Sequence, residues 1–249
     1  MAIKAVVFDL DGTLASFNLD YMAVRADVRG FLLRKGIPAS VISVNESIFE
    51  MLKKADIFLR NSGKSARTIN KTRNEALDIV EKHEMEAAKT TGLLSGVTET
   101  LETLKKMKLK LGLCTINGQK STNYILKRFR INKFFDVIVP RNKVKEVKPD
   151  PEHVEAVLTA LEIKAKEALL VGDSNRDMRC AREAGTVAVG IPTGLSSQQE
   201  LVNAGANYFI TSITDLPCLV EKMNGASGTR TLSNQSRNCL ALKTSSSLL

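Results

Sequence analysis

The chain has 249 residues, 43% hydrophobic and 25% charged, with a formal net charge of +9. That balance suits a soluble protein of one large or two moderate domains with a sizeable core, and no apolar run reaches the ~18–20 residues a membrane span needs. Nor does the charge single out nucleic acid. The stretch from Asn224 onward carries Arg230, Arg237 and Lys243 and no acid, the remaining excess is spread along helical segments, and tryptophan is absent. A phosphorylated small molecule fits such a surface at least as well as a polyanion.

Cys114, Cys180, Cys218 and Cys239 lack Cys-x-x-Cys spacing, so neither a zinc site nor a disulfide framework is indicated. The N-terminus enters an apolar segment without the basic and apolar regions of a secretion signal, and a cytoplasmic protein is expected.

In chain order, the first element is the apolar run Ala5-Val6-Val7-Phe8, which predicts a buried strand. It ends in Asp9-Leu10-Asp11-Gly12-Thr13-Leu14. Alternation sends residues i and i+2 of an extended chain to one side, so Asp9 and Asp11 converge. Two close carboxylates repel, and a hard divalent cation such as magnesium relieves the conflict because it prefers oxygen ligands. Residues 15–92 then change character. Glycine is scarce and apolar residues recur at helical spacing, as at Ile48, Met51, Leu52 and Ala55, which predicts a helical insertion whose ends return close together.

After Gly92 strands and helices alternate. Helices are expected over residues 97–106, 119–129, 151–161 and 175–184, and strands over 109–114, 136–139, 168–171, 187–189 and 208–210. Such alternation predicts a parallel sheet covered on both faces. Asp9, Thr115 and Asp173 fall at or just past the carboxyl ends of predicted strands, with Lys148 and Pro149 in a loop on the same side. That edge is where ligands bind in open α/β sheets. The tail from residue 223 is rich in serine and threonine with little apolar content, and is expected to be disordered.

With these residues in place, the sequence resembles the haloacid dehalogenase (HAD) superfamily in its phosphatase branch, and most closely the phosphoglycolate phosphatase-like subgroup. The likeness rests on Asp9 to Leu14, the strand-end Thr115, the stretch Glu146-Val147-Lys148-Pro149-Asp150-Pro151, and Gly172-Asp173-Ser174-Asn175-Arg176-Asp177-Met178. It implies a Rossmann-like α/β core over residues 1–14 and 93–222, an inserted helical cap over 15–92 in the position of that subgroup's mobile cap, and a tail over 223–249. It also implies magnesium-dependent hydrolysis of a small phosphorylated metabolite by a monomer or homodimer, without specific nucleic-acid or membrane partners.

Carried over residue by residue, Asp9 is the nucleophile that forms an aspartyl-phosphate, and Asp11 the general acid and then base. Asp9, Asp173 and the backbone carbonyl of Asp11 hold magnesium, with Asp177 orienting metal waters or Lys148. Lys148 offsets charge, and Thr115 hydrogen-bonds a phosphate oxygen. Relatives often place Asn directly after that Thr, whereas here the order is Thr115-Ile116-Asn117, so the phosphate contact expected of Asn117 is less well supported. Lys145 competes with Lys148, which has the Pro-Asp-Pro context.

Asp11 favours ester hydrolysis over dehalogenation, which has no poor alkoxide to protonate. A phosphoglucomutase-like transferase shares every motif, and a non-catalytic binding module of the same fold would not need all of these residues. The basic residues Arg60, Lys64, Arg67, Lys71 and Arg73 read better as a solvated helix face than as a second anion site. His83 and His153 lie in charged helical contexts and read as surface residues.

Overall fold

The structure, a computed structural model, describes residues 2–225 and 242–243. The described residues form two compact units, one of residues 2–17 with 91–225 and 242–243 and the other of residues 18–90.

The first unit is built on a sheet in the order β3-β2-β1-β4-β5-β6-β7. Its strands are β1 (Ala5–Phe8), β2 (Lys110–Thr115), β3 (Val137–Pro140), β4 (Ala168–Gly172), β5 (Val187–Gly190), β6 (Tyr208–Phe209) and β7 (Leu242–Lys243). All neighbouring pairs are parallel except β6 with β7. Every residue of β1 is buried, as a central strand covered on both faces requires. Ala5 and Val7 pack with Leu170 against α6 (Glu152–Leu161) and α7 (Asn175–Ala184). Alternation turns Val6 and Phe8 to the opposite face, where the Phe8 ring meets Phe135 edge-on at 6.4 Å.

The second unit holds α1 (Tyr21–Arg34), α2 (Ile48–Asn61) and α3 (Ala66–Thr90). Val24, Val28 and Leu32 recur every four residues on α1 and meet Ile48, Met51, Leu52 and Ala55 of α2 and Ile69, Ala76 and Val80 of α3. Asp20 caps α1 through the Ala23 amide, and Ser47 with Glu50 forms a capping box on α2. These satisfy amides that a helix start leaves open. The chain leaves and re-enters the first unit side by side: the Ser16 amide donates to the Gly92 carbonyl at 2.8 Å and the Thr91 hydroxyl to the Ser16 carbonyl at 2.7 Å.

The remaining helices are α4 (Val97–Lys106), α5 (Gln119–Arg128), α8 (Gln198–Asn203) and α9 (Leu216–Gly225). The last corrects the expected tail boundary. Residues 223–225 complete α9, which buries Leu216, Leu219 and Val220, and Asn224 exchanges hydrogen bonds with the Ile3 backbone at 2.6 and 3.2 Å. Of the rest of the segment read as disordered, Leu242–Lys243 forms β7 and the remainder lies outside the described residues. Among the described residues no helix is long and apolar enough to cross a membrane.

Candidate active site

Strand register gathers the site. Phe8 lies level with Leu113 of β2 and Val171 of β4, so the residues that follow in each strand leave the sheet at one edge. The Asp9 amide still pairs with the Val171 carbonyl at 2.9 Å, which holds the first carboxylate at the strand end. The chain then turns tightly, with the Leu10 carbonyl accepting from the amides of Leu14 and Ala15 at 2.8 and 2.9 Å. Gly12 supplies the left-handed conformation this turn demands, at φ +77°, and a Cβ there would run into the Asp173 carboxylate.

Lys148 is only 3% exposed. Its ammonium lies 2.8 Å from Asp9 Oδ1 and 2.5 Å from Asp177 Oδ1. Asp177 Oδ2 accepts from the Ser174 amide at 3.1 Å and from the Ser174 hydroxyl. Both oxygens of Asp177 are therefore engaged, one with the start of its own helix α7 and one with Lys148. Of the two tasks the sequence allowed Asp177, this geometry favours orienting the lysine. Lys145, the competing lysine, is exposed.

Burial dominates the electrostatics. It pushes the Asp9 carboxyl above its ordinary range, with Lys148 opposing and Asp177 reinforcing. Burial, then Asp177 and Asp9, push Asp173 up to about 8. For Lys148 burial works against the charge, yet Asp177 and Asp9 outweigh it and hold the ammonium above its ordinary range. Carboxylate oxygens of Asp9, Asp173 and Asp177 lie within 4.8 Å of one another, with one buried ammonium among them. Asp9 Oδ1 is buried beside the Lys148 ammonium at 2.8 Å. An all-oxygen cluster of three buried carboxylates against one ammonium fits a hard divalent cation.

Thr115, at the end of β2, is buried and accepts the Asn117 amide at 3.2 Å. Asn117 turns its side chain to the general acid/base candidate, and Nδ2 donates to Asp11 Oδ2 at 2.6 Å. The basic residues of 60–73 all belong to the second unit, where Arg73 pairs with Asp56 at 2.8 Å and Lys71 with Glu75 at 3.9 Å.

Two contributors have no counterpart in the sequence reading. The loop after β5 donates the Leu195 amide to Asp173 Oδ2 at 2.7 Å and the Ser196 amide to the Asp173 carbonyl at 3.2 Å. The Thr193 hydroxyl donates to the Gly12 carbonyl. The second contributor is His153, and here the expectation of a surface residue is corrected, because His153 is 0% exposed. Its Nδ1 faces the Lys148 amide at 3.3 Å and its Nε2 the Val139 carbonyl at 3.1 Å. The first contact makes Nδ1 the acceptor and therefore Nε2 the protonated nitrogen. His83 is partly exposed and meets Asp27 at 2.8 Å.

Most of the chain is similar to known proteins. A family model described as haloacid dehalogenase-like hydrolase matches residues 6–191. The pyrophosphatase PpaX of Bacillus mycoides (strain KBAB4) is 28% identical over 228 residues, covering 90% of this chain and 100% of that protein. A crystal structure of a hydrolase from Pseudomonas syringae superposes with a TM-score of 0.67 at 26% identity, covering 88% of this chain and 99% of the other. A predicted phosphoglycolate phosphatase from Haemophilus somnus 129pt shares the fold, with a TM-score of 0.58 at 21% identity over 86% of this chain and 96% of that one.

Proposed function

The chain belongs to the haloacid dehalogenase-like hydrolase family and is a phosphatase of that family; on this premise we propose that it hydrolyses a small-molecule phosphate monoester through an aspartyl-phosphate, with magnesium, in the manner of the phosphoglycolate phosphatases. The observation that carries the reading is the buried contact of Lys148 Nζ with Asp9 Oδ1 at 2.8 Å, beside Asp173 at the carboxyl edge of the sheet.

In the first half-reaction an Asp9 carboxylate oxygen attacks phosphorus. The ester P–O bond breaks, and Asp11 gives its proton to the departing oxygen. In the second, water attacks the same phosphorus and passes a proton back to Asp11. The bond between phosphorus and Asp9 then breaks, releasing inorganic phosphate and the free carboxylate. Lys148 holds positive charge against the nucleophile and the transferring group, where electrostatic positioning supplies most of the rate. The Thr115 hydroxyl donates to a phosphoryl oxygen. Asp9, Asp173 and the Asp11 carbonyl would hold magnesium, which would supply positive charge to offset that of the transferring group.

A second reading differs only in the leaving group. The similarity to pyrophosphatase PpaX runs through the whole of that protein, and pyrophosphate presents the same reacting phosphoryl group with phosphate in place of an alkoxide. Phosphate release is therefore to be measured from an aryl phosphate, 2-phosphoglycolate and pyrophosphate, with magnesium or chelator, for the native protein and Asp9→Asn. Magnesium-dependent turnover lost in Asp9→Asn is expected, and the preferred substrate separates the two readings. Turnover that survives in Asp9→Asn refutes the nucleophile assignment.

A further inference from the structure

We propose that Arg141 is a positioning residue of the phosphoryl-binding loop: its guanidinium, helped by the Asn142 side chain, holds the peptide unit that aims the Thr115 hydroxyl. This rests on Thr115 donating to a phosphoryl oxygen in the proposed reaction, and it extends the site to the first residues after β3.

Strand register brings the two segments together. Thr115 at the end of β2 lies level with Pro140 at the end of β3, so both chains leave the sheet side by side. The Arg141 amide donates to the Asn117 carbonyl at 3.1 Å. Its side chain is buried, and Nη1 donates to the Ile116 carbonyl at 3.1 Å. One residue on, Asn142 Oδ1 accepts the Gln119 amide at 2.8 Å. That amide opens α5, whose cap residue Gly118 has no side chain to offer. An oxygen from a neighbouring segment thus does what an N-cap side chain does elsewhere. Two consecutive residues after β3 fasten the whole turn from β2 into α5.

The Ile116 carbonyl and the Asn117 N–H belong to one planar peptide unit. Arg141 holds its carbonyl end. At the other end the N–H donates to Thr115 Oγ1 at 3.2 Å. The hydroxyl oxygen therefore has a fixed donor, and its proton is turned away from that donor. Among the described residues the proton meets no acceptor, although Thr115 is only 1% exposed. A buried hydroxyl in that condition suits a ligand oxygen. The cationic donor on the Ile116 carbonyl also polarises the peptide and strengthens its N–H. Without the guanidinium the peptide can rotate about its flanking bonds, and the hydroxyl loses its fixed donor. A contact to the phosphoryl oxygen serves bound ester, transition state and inorganic phosphate alike. Its loss raises KM and the inhibition constant of phosphate together and leaves kcat little changed.

The test uses the full-length protein with magnesium, an aryl phosphate as substrate and inorganic phosphate as competitor. Arg141→Ala withdraws the guanidinium, Thr115→Val removes the hydroxyl, and Asn142→Ala, at an exposed position, withdraws the contact to Gln119. A melting curve identifies the folded variants. In Arg141→Ala, KM and the inhibition constant of phosphate should both rise about tenfold, the scale of one hydrogen bond from a charged group. A smaller rise is expected in Asn142→Ala, and kcat should change little in either. Added to Thr115→Val, Arg141→Ala should alter the inhibition constant by less than about twofold, because both act through one hydroxyl. A residue that merely supports the fold would add its full effect on that background, and this outcome overturns the proposal. So would native constants in folded Arg141→Ala or, should that variant not fold, in Asn142→Ala. A native protein without turnover would refute the phosphatase reading itself, whereas an active one with native constants in the Arg141 and Asn142 variants refutes the positioning role alone.

Discussion

His153 illustrates how one residue links stability to the site. Burial is the main reason that its pKa falls from 6.5 to about 4, with the Lys148 charge adding to it and the Val139 carbonyl and Asp177 opposing. The unfolded chain therefore takes up a proton as the pH drops through 6.5, while the folded protein resists until about 4. Stability contributed by neutral His153 is complete above the higher value and lost across that window, on the order of 3 kcal/mol in all. His153→Gln, which keeps a donor and an acceptor but does not titrate, should flatten the dependence of unfolding free energy on pH between 6.5 and 4. An unchanged slope in denaturant melts would remove His153 from the account. Nothing in the sequence announces this burial. Glu152 and Glu155 flank it as on any solvated helix, and its partners are a backbone amide and a carbonyl, groups that every residue carries. The same holds for the Leu195 amide on Asp173. Carboxylates at strand ends and a lysine in the loop before α6 are legible because their side chains make the contacts, whereas backbone donors are not.

At the scale of elements, α7 couples its own stability to the position of the lysine. Asp177 reaches back to Ser174 with one oxygen and across to Lys148 with the other. Ser174→Ala withdraws a hydroxyl from the first oxygen, a capping loss typically worth about 1 kcal/mol, and leaves Asp177 less constrained. A lower Tm should accompany a fall in kcat of severalfold, with the Lys148 contact loosened. A lower Tm at native kcat would mean that the cap acts on the helix alone. The parallel strands and longer helices were readable from apolar runs and from Gly185 just past α7. By contrast α8 and α9 were not read, although Leu216, Leu219 and Val220 carry a helical spacing. The signal in α9 is short, it begins beside Pro217, and it abuts a polar segment that reads as tail. The contact that accompanies the last turn of the helix, between Asn224 and Ile3, joins residues 221 apart in sequence and leaves no local pattern.

For the whole molecule, the excess of buried carboxylates predicts that a cation stabilises the fold. At a hundred times its dissociation constant, magnesium should add about 2.7 kcal/mol by linkage, seen as a rise of several degrees in Tm over protein in chelator. The rise should vanish in Asp173→Asn. An identical Tm with and without magnesium in the native protein would mean that this cluster holds no resident cation. The readout is independent of turnover, so it tests the site even where the substrate is unknown.

The register that gathers the site also governs how the chain finds its fold. Within the sheet β1, which ends just before Asp9, pairs with no described segment nearer in sequence than Lys110 on one side and Ala168 on the other. Its ladder contacts are all non-local, the kind that form late because loop closure comes before any reward. The helices of residues 18–90 are local by comparison, and their collapse shortens the tether between β1 and β2 to the narrow gap bridged by Ser16 and Gly92. A segment that looks like an interruption of the core is thus also the splint that brings its first strand to its partner.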